Sequence, residues 1–568
     1  MEIEYVASPD LVEAVKGKAI RDEKGLYFIN TDHAEPFLPV QLWTQGETES
    51  TSCWFPCIDR PDEKFTMKLS ITVNKELQTL SNGKRIASEV QGNLRTDTWV
   101  SAQPMSAYLY MMAAGEFRVQ TDSLTEPALD TIFFTRYDTL RPACTDDAGT
   151  EAAWVKEVPM FRVVNAQRDM LNGVGVSYYL EPEYAPFAKA IFKGTPEMID
   201  FFSAKLGVPY PWDKYAQIVV RDYVSGAMEN TSATLHGESV QKTPRELLDA
   251  SNDDIIAHEL FHQWFGDLVT CKSWSQLVLN EGFASFGEQL WIEYRYGEDA
   301  ALVKRMQAIN RYLGYSERVS DEAIVRYNYR HPDDMFTTIT YQKGARVLQL
   351  LRQTLGDDAF FQGLKNYLTR FAFQAADLDD LRKEMEAVSG LDLKLFFRQW
   401  FETGGHPMLD IRYEFNDSTH RMAVVVEQKQ STETVYRFPL QFKVSQNNQS
   451  KLYTFDIQHR KEVFYVNQTD TSAFEMPNVT VDPYACFPGE INDHKSFVQH
   501  IQTYFGKGTI VEKVRALEAI KDMQKGNDTI QKVLLIALSD RKPFLRQKAL
   551  EWISWKEKQV DSSLAQRI

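Results

Sequence analysis

The spacing of apolar residues changes along the chain and divides it into four zones. Up to about residue 117, apolar and polar residues alternate in short segments such as 65–73 and 107–112, separated by Gly, Pro and Asn. This alternation predicts β-strands, because successive side chains of a strand point to opposite faces. From there to about residue 405, apolar residues recur at helical spacing, as in 197–206, 255–265 and 345–355.

The last two zones repeat the change from alternation to helical spacing. Alternation returns between about 406 and 488 and predicts a small antiparallel sandwich. Its clearest segments are 422–427, 438–444 and 463–466. From about residue 489 the spacing is helical again, and 543–553 has the pattern of a short amphipathic helix. This zone predicts the beginning of a stack of helix pairs.

Composition and charge narrow the class of protein. Of the 568 residues, 43% are hydrophobic and 25% are charged, which excludes a disordered or collagen-like chain. The 63 basic and 79 acidic residues give a formal net charge of −16, so we expect no binding of nucleic acid. We also expect no transmembrane segment and no secretory signal, because no apolar run is long enough and the first residues are acidic.

The cysteines give weak information about the compartment. There are five of them, mostly far apart in the sequence, and they predict no disulfide framework. Together with the expected lack of a signal, this favours a cytoplasmic location for the chain as written. A periplasmic or extracytoplasmic location stays open if the N-terminus is incomplete.

Residues 255–265 have a spacing typical of a catalytic zinc helix. His258 and His262 are four residues apart, so on a helix both imidazoles lie on the same face, one turn apart. Glu259 adjoins His258 and can reach a water on the same metal, which is the position of a general base. A catalytic zinc needs a third protein ligand, and Glu281, separated from His262 by eighteen residues, supplies an acid.

An ordinary helix with two surface histidines would be the alternative explanation. The flanking residues argue against it, because they are apolar and predict a buried helix. They are Ile255, Ile256, Phe261, Trp264 and Phe265. Buried histidines need partners, and one metal ion satisfies both. We therefore predict one bound Zn²⁺ per chain.

A second segment, residues 224–230, indicates a substrate site. Its Gly226-Ala227 step lets a ligand approach the backbone closely, and Glu229 adds a carboxylate. A carboxylate in a cleft is costly unless a cation matches it, and the free α-amine of a peptide is such a cation. Taken alone, Glu229 could equally form an ordinary salt bridge.

These motifs together resemble the aminopeptidase N family of zinc metallopeptidases, the gluzincins. The resemblance rests on His258-Glu259-x-x-His262 followed after eighteen residues by Glu281, and on Gly226-Ala-Met-Glu-Asn230. Residues 54–61 (WFPCIDRP) resemble the signature of the family's N-terminal domain, and residues 341–345 (YQKGA) resemble its catalytic-tyrosine motif. The resemblance covers nearly the whole chain.

The resemblance implies a role for each residue of the site. The implied zinc ligands are His258, His262 and Glu281, the general base is Glu259, and Tyr341 stabilises the oxyanion. Glu229, together with Gln45 and Glu47 of the N-terminal domain, is expected to hold the substrate's α-amine. The other implied substrate-binding residues are Gly226, Ala227, Met228 and Asn230. Met228 and Gln45 are candidates to line the pocket for the side chain of the substrate's first residue.

The resemblance also implies a multidomain α+β fold. The implied domains are a truncated β saddle domain at 1–118, a thermolysin-like α+β catalytic domain at 119–405, a small β-sandwich at 406–488 and the start of a HEAT-like helical array at 489–568. A weakly patterned stretch with acidic clusters, about 120–172, is expected to be an insertion. Because members of the family usually have additional N-terminal strands and a longer helical array, we expect a chain truncated at both ends.

The activity implied by the resemblance is that of a zinc aminopeptidase, a hydrolase that removes N-terminal residues from peptides. Its partners would be peptides with a free N-terminus, and we expect a monomer. Two alternatives stay open. One is an epoxide-hydrolysing relative of leukotriene hydrolase, against which Ala227 argues because that branch usually has a second glycine there. The other is an inactive fragment or binding module.

Overall fold

The computed structural model describes residues 2–9, 20, 23–122, 130–140, 152–164, 174–319, 322–416, 418, 421–446, 449–467, 477–523 and 528–552. The chain forms two compact units. Unit 1 comprises Met1–Thr131, Val163–Trp291 and Asp321–Gly404, and unit 2 comprises Ile132–Arg162, Ile292–Ser320 and Gly405–Ile568. Every residue of the predicted site belongs to unit 1. The four-domain division stays a prediction.

The N-terminal part of unit 1 is built from short strands, as the alternation predicted. They are β1 Leu26–Ile29, β2 Gln41–Thr44, β3 Lys64–Asn74, β4 Gln78–Ser81, β5 Lys84–Gln91, β6 Leu94–Ser106, β7 Met112–Gly115 and β8 Arg118–Asp122. One antiparallel sheet has the order β1-β2-β7-β4 and another has the order β3-β6-β5. The loop after β2 carries Gln45 and Glu47.

The strand predicted at 107–112 is wrong over most of its length. Ala107–Leu109 form a 3-10 turn, and β7 begins only at Met112. The alternation fails because residues 107–111 are all buried where the chain crosses from the sheet of β6 to the sheet of β7. This crossing brings Tyr108 and Leu109 against the part of unit 1 that is predicted to be catalytic, the catalytic part, which comprises Val163–Trp291 and Asp321–Gly404. There they accept hydrogen bonds from Asn280 and Asn230.

The stretch predicted as an insertion, about 120–172, lies partly outside the described residues. Its described part contains the end of β8 and two further strands, β9 Asp130–Leu140 and β10 Ala152–Val164. Strand β10 pairs antiparallel with a strand of unit 2 over Ala152–Trp154.

A five-stranded sheet forms the base of the catalytic part. Its strands are β8 with β11 Gly175–Leu180, β12 Lys214–Val220, β13 Ala227–Met228 and β14 Ala233–Gly237. The order is β13-β14-β12-β11-β8. The central strands β11, β12 and β14 are parallel, and β8 and β13 run antiparallel at the two edges. Strand β13, which belongs to the predicted substrate segment, is therefore an edge strand.

Helices make up the rest of the catalytic part. They are α1 Ala188–Ile191, α2 Thr195–Leu206, α3 Asp253–His262, α4 Glu281–Tyr296, α6 Gly344–Leu355, α7 Asp357–Arg370, α8 Leu378–Ser389 and α9 Lys394–Phe397, with α5 Glu298–Ser316 in unit 2. Two π-helical segments, Ile339–Lys343 and Arg398–Glu402, adjoin α6 and α9. Two short strands, β15 Val269–Cys271 and β16 Gln374–Ala376, pair in parallel.

The helices predicted at 197–206 and 345–355 are confirmed by α2 and α6, but the one predicted at 255–265 ends three residues early. Helix α3 stops at His262, and the chain then turns through Gly266, whose φ of 129° is a conformation that favours glycine. Residues 263–265 are buried in this turn, although the apolar side chains of Trp264 and Phe265 match the helical pattern.

Unit 2 contains the predicted sandwich and a helical C-terminal part. Its strands are β17 Met408–Asn416, β18 Arg421–Gln428, β19 Phe438–Gln446, β20 Gln449–Ile457, β21 Lys461–Asn467, β22 Asn478–Val481 and β23 Glu490–Asp493. The two sheets have the orders β22-β19-β20-β10-β9 and β21-β18-β17-β23. Phe464 of one sheet stacks on Phe455 of the other, with ring centroids 4.5 Å apart.

The C-terminal helices confirm the helical spacing of the last zone. They are α10 Phe497–Phe505, α11 Ile510–Met523, α12 Asp528–Ala537 and α13 Pro543–Trp552. Buried residues of these helices, such as Leu517 and Leu534, share one apolar core with Leu302 and Met306 of α5. Over the described ranges, no helix has both the length and the apolar composition that a bilayer crossing demands.

Candidate active site

Helix α3 presents the first three residues of the site. Asp253 and Asp254 in its first turn carry negative charge at the positive end of the helix dipole, which favours the helix. Most of its apolar side chains are buried and anchor it in unit 1, among them Ile256, Leu260 and Phe261. The four-residue spacing brings the imidazole rings of His258 and His262 to 4.9 Å between centroids.

Glu281, the first residue of α4, completes a set of three donor atoms. Its Oε2 lies 3.1 Å from Nε2 of His258 and 3.4 Å from Nε2 of His262. Ligand atoms that are about 2.0–2.1 Å from a tetrahedral zinc ion lie about 3.3–3.4 Å from one another. The three donors therefore fit one zinc ion, and two imidazoles with one carboxylate are a typical donor set of a catalytic zinc site.

The charges around these donors favour a cation. Burial lowers the pKa of His262, but the carboxylates of Glu229 and Glu281 outweigh this effect and raise it to about 9. Burial raises the pKa of Glu281, but the charge of His262 and hydrogen bonds from both histidines outweigh this effect and lower it to about 2. The carboxylates around His262 thus favour a positive charge at this place.

Glu259 is buried beside the three donors. One of its oxygens lies within 4.8 Å of donor atoms of Glu229 and His262. Burial raises the pKa of Glu259 to about 8, although the two histidines act in the opposite direction. A carboxyl group whose pKa lies near neutrality can both accept and return a proton.

Two further carboxylates crowd the same place. Glu229 follows β13 and Glu47 lies in the loop after β2, and both side chains are buried. An oxygen of each lies within 4.8 Å of an oxygen of Glu281. Burial raises the pKa of both carboxyl groups, and for Glu47 the charge of Glu229 adds to the effect. The Oε1 atoms of Glu47 and Glu229 have no hydrogen-bond partner among the described residues.

Gln45 lies next to this pair of carboxylates. Its Nε2 donates to Sδ of Met228 at 3.3 Å, and its Oε1 accepts a hydrogen bond from the Tyr223 hydroxyl at 3.0 Å. All three side chains are buried. The structure therefore brings Gln45 and Met228 into direct contact beside Glu47 and Glu229.

The rest of the predicted substrate segment lies along the edge strand. Ala227 pairs with His236 of β14, and the carbonyl of Gly226 accepts a hydrogen bond from the amide of Gly237 at 3.1 Å. Nδ2 of Asn230 donates to the carbonyl of Leu109 at 3.3 Å, so this contact joins the segment to the N-terminal part. A substrate role for Asn230 stays a prediction.

Tyr341 lies in the π-helical segment before α6. Its ring is nearly parallel to that of His258, at 6.0 Å between centroids. Burial raises the pKa of Tyr341 well above its usual value, and the carboxylates of Glu281 and Glu47 add to this effect. The phenol therefore stays protonated at neutral pH and can donate a hydrogen bond.

Two models of one peptidase family match this chain. The Peptidase family M1 domain matches residues 191–400, and the Peptidase M1 N-terminal domain matches residues 15–109. The two matches contain all residues of the predicted site and together cover more than half of the chain. The chain belongs to the peptidase M1 family. Members of this family are metallopeptidases.

Several curated relatives carry aminopeptidase names. Aminopeptidase M1 of Arabidopsis thaliana is 26% identical over 65% of this chain and 37% of its own length. Probable aminopeptidase 1 of Sulfurisphaera tokodaii is 25% identical over 72% of this chain and 47% of its own length. Aminopeptidase N of Escherichia coli is 26% identical over 68% of this chain and 41% of its own length. The M1 chain thus spans less than half the length of these relatives.

A solved structure supports the fold of the M1 chain. It is the crystal structure of Legionella pneumophila aminopeptidase A in complex with aspartic acid, with a TM-score of 0.70 and 18% sequence identity. The match covers 88% of this chain and 54% of that one. At this identity the likeness concerns the fold alone.

The structure adds two groups to the M1 site that the sequence analysis missed. The Nδ1 atom of His258 lies 2.8 Å from Oε1 of Glu288 on α4, and Nδ1 of His262 lies 3.0 Å from the backbone carbonyl of Phe265. Each acceptor favours the tautomer that carries its proton on Nδ1 and leaves Nε2 free to bind a metal. Glu288 follows Glu281 by two helical turns, a spacing that could have pointed to it.

Replacing Glu288 tests this arrangement. Glu288→Ala is expected to weaken zinc binding by about 10- to 100-fold, because a carboxylate partner orients a metal-bound histidine and raises its basicity. Glu288→Gln keeps an acceptor oxygen for Nδ1 and is expected to lose less. Zinc affinity is measured by competition with a chromogenic chelator, and equal affinity of all three proteins would contradict the assignment.

Gln263 is a third residue that the sequence analysis missed. It is the first residue after α3, and its buried side chain donates from Nε2 to the backbone carbonyl of Glu229 at 3.0 Å. Its Oε1 accepts a hydrogen bond from the amide of Ser232 at 2.8 Å. Gln263 therefore ties the end of the helix that carries the histidines to the segment that carries Glu229.

Proposed function

We propose that this M1 chain is a zinc-dependent aminopeptidase that removes N-terminal residues from peptides. The observation that carries the proposal is the pair of buried carboxylates, Glu47 and Glu229, within 4.8 Å of the donor set that fits a metal. A buried anion is stable only next to a compensating cation. One metal ion does not neutralise the four carboxylates of Glu47, Glu229, Glu259 and Glu281. A free α-ammonium group is the cation that every unblocked peptide brings.

The names of the relatives support this proposal. Proteins named as aminopeptidases in Arabidopsis thaliana, Sulfurisphaera tokodaii and Escherichia coli match over 65%, 72% and 68% of this chain. The family domain and the fitting donor set support a metal, and we propose that it is Zn²⁺, one per chain, held by His258, His262 and Glu281. The partner is a peptide with a free N-terminus, and we propose that the chain acts as a monomer.

Glu259 acts as the general base and acid. Bound zinc polarises the scissile carbonyl and makes water more acidic. Glu259 takes the proton of the attacking water on its carboxylate and then delivers it to the nitrogen of the departing amine. A pKa near neutrality suits both steps, because the same group must accept a proton and give it up within one turnover.

The two acidic residues beside the metal set the position of cleavage. Glu229 and Glu47 hold the α-ammonium group, while the edge strand β13 offers backbone groups that can pair with an extended peptide. Because the ammonium group is held next to the donor set, only the first peptide bond lies within reach of Glu259. The contact between Gln45 and Met228 makes them candidates to line the pocket for the first side chain.

The Tyr341 hydroxyl stabilises the charge that develops on the carbonyl oxygen. Its ring lies beside that of His258, and its raised pKa keeps the hydroxyl proton available for donation. A hydrogen-bond donor that is already in position stabilises the oxyanion without reorganisation.

Tyr341→Phe is expected to lower kcat by about 10²- to 10³-fold, as the removal of one oxyanion donor does in other enzymes. Zinc content and KM should change little, because the hydroxyl acts mainly in the transition state. Tyr465→Phe, which alters an exposed tyrosine of unit 2, is the matched control and should keep full activity. Unchanged kcat in Tyr341→Phe would mean that another group stabilises the oxyanion.

The proposed function as a whole is tested by metal analysis together with an assay on aminoacyl fluorogenic substrates. We expect one zinc per chain, activity that a chelator abolishes, and recovery of activity when zinc is restored. Zinc binding without peptidase turnover would support a binding module instead. Turnover of an epoxide substrate without peptidase activity would support a hydrolase of the leukotriene type, and purified protein without zinc would overturn the proposal.

A further inference from the structure

A lysine of the N-terminal part reaches the turn that follows the histidine helix. Lys64 is the first residue of β3, and its Nζ donates to the backbone carbonyl of Asp267 at 2.8 Å and to that of Leu268 at 3.2 Å. The two partners are 203 and 204 residues away in the sequence. The Lys64 side chain is partly buried, and this burial lowers its pKa to about 7.

The turn that Lys64 holds supplies the acceptor for His262. Within residues 263–269, the carbonyl of Phe265 accepts from Nδ1 of His262, and the amide of Asp267 donates to the carbonyl of His262 at 3.0 Å. A backbone carbonyl cannot be oriented by its own side chain. Its direction follows the path of the turn, which is held by backbone hydrogen bonds, such as that from the Gly266 amide to the Val269 carbonyl at 2.9 Å, and at its other end by Lys64.

The turn also lies directly against the imidazole ring. A Cβ atom added to Gly266 would lie 3.1 Å from Nδ1 of His262, closer than ordinary van der Waals contact. The Phe265 ring itself is buried and stacks on Phe283, at 4.2 Å between centroids. The turn therefore has little room to move without moving the imidazole ring of His262.

We propose that Lys64 is a positioning residue of the metal site, which holds the carbonyls of Asp267 and Leu268 and thereby keeps the Phe265 carbonyl in place as the acceptor of His262. The inference rests on the proposed zinc site and deepens it. It gives the N-terminal part a second role beside Glu47, because this part then contributes to metal affinity as well as to the binding of the ammonium group.

A second lysine provides a matched control. Lys214 is also partly buried, burial lowers its pKa to about 7, and its Nζ donates to the carbonyls of Ser81 and Ser232 at 2.9 and 3.1 Å. It too joins the N-terminal part to the catalytic part, but its acceptors lie outside residues 263–269, and Ser232 meets that range through the Gln263 side chain and not through the backbone of the turn. Loss of either ammonium group leaves two backbone carbonyls without this donor, so both substitutions should lower the thermal stability.

The test compares the zinc affinities of the full chain and of Lys64→Met and Lys214→Met, by competition with a chromogenic chelator. Lys64→Met is expected to weaken zinc binding by about 10-fold or more, the lower end of what is lost when a partner of a metal-bound histidine is removed. Lys214→Met should stay within about threefold of the unsubstituted chain, although its Tm falls. Lys64→Gln keeps N–H donors on a shorter, uncharged side chain, so its zinc affinity should lie between those of the two methionine variants. It carries the test if Lys64→Met does not fold.

Equal zinc affinity of the Lys64 and Lys214 variants would overturn the inference, because both would then act only through stability. In that case the unsubstituted chain would still bind zinc and cleave peptides, so the proposed function would stand. A chain that binds no zinc before any substitution would overturn both the proposed function and the inference.

Discussion

Glu259→Gln is expected to lower kcat by about 10²- to 10⁴-fold while the zinc stays bound. Glutamine has nearly the same shape as glutamate but cannot accept a proton from water, so the contribution of general acid–base catalysis is lost. Glu259 is not among the three donors that fit the metal, so the zinc content should not change. The measurement is single-substrate kinetics together with metal analysis of the same preparation.

Asp254→Asn is the matched control for this substitution. It removes an exposed carboxylate from the first turn of the same helix, and its kcat should equal that of the unsubstituted chain. If Glu259→Gln kept its turnover with zinc in place, another group would have to be the base. If it lost its zinc, the effect on kcat would say nothing about proton transfer, and kcat would have to be compared in excess zinc.

Blocking the α-amine of a substrate is the second change for which we expect a large loss of activity. Acetylation is expected to lower kcat/KM by about 10²- to 10⁴-fold, because it removes the cation that matches buried carboxylates, a loss of about 3–5 kcal/mol. The same peptide should be cleaved rapidly when its N-terminus is free and its C-terminus is capped. Cleavage sites on the two peptides are mapped by mass spectrometry.

Glu229→Gln makes this prediction specific to the proposed pocket. In this variant the free peptide should be cleaved more slowly, and the further penalty of acetylation should shrink, because the ammonium group and the carboxylate act as a pair. An acetylated peptide cleaved as fast as its free counterpart would contradict the pocket. If acetylation lowered kcat/KM of Glu229→Gln as much as that of the unsubstituted chain, other residues would have to bind the ammonium group. Glu47 would then be the next residue to replace.

The fold was largely predictable where the local pattern is strong. Strands β18, β19 and β21 and helices α2 and α6 lie where the spacing of apolar residues put them. The errors fall where burial is uniform, at residues 107–111 and 263–265, because a fully buried apolar segment can match a strand or helix pattern without forming that element. In both places the chain turns within the core, and long-range packing decides the path.

The sequence by itself determined the donor set proposed for the metal, because His258, Glu259 and His262 meet through the geometry of a single helix, and Glu281 opens the helix α4 at the offset that the motif requires. Only the tertiary structure decided what surrounds these donors. Glu47 and Glu229 were expected at the site from the sequence, but their position beside the donors, like that of Lys64 near the turn, depends on the packing of distant segments. The acceptor of His262 is a backbone carbonyl, which any residue type could supply. Contacts of these two kinds leave no local pattern in the sequence, since they depend on how separate strands and turns pack.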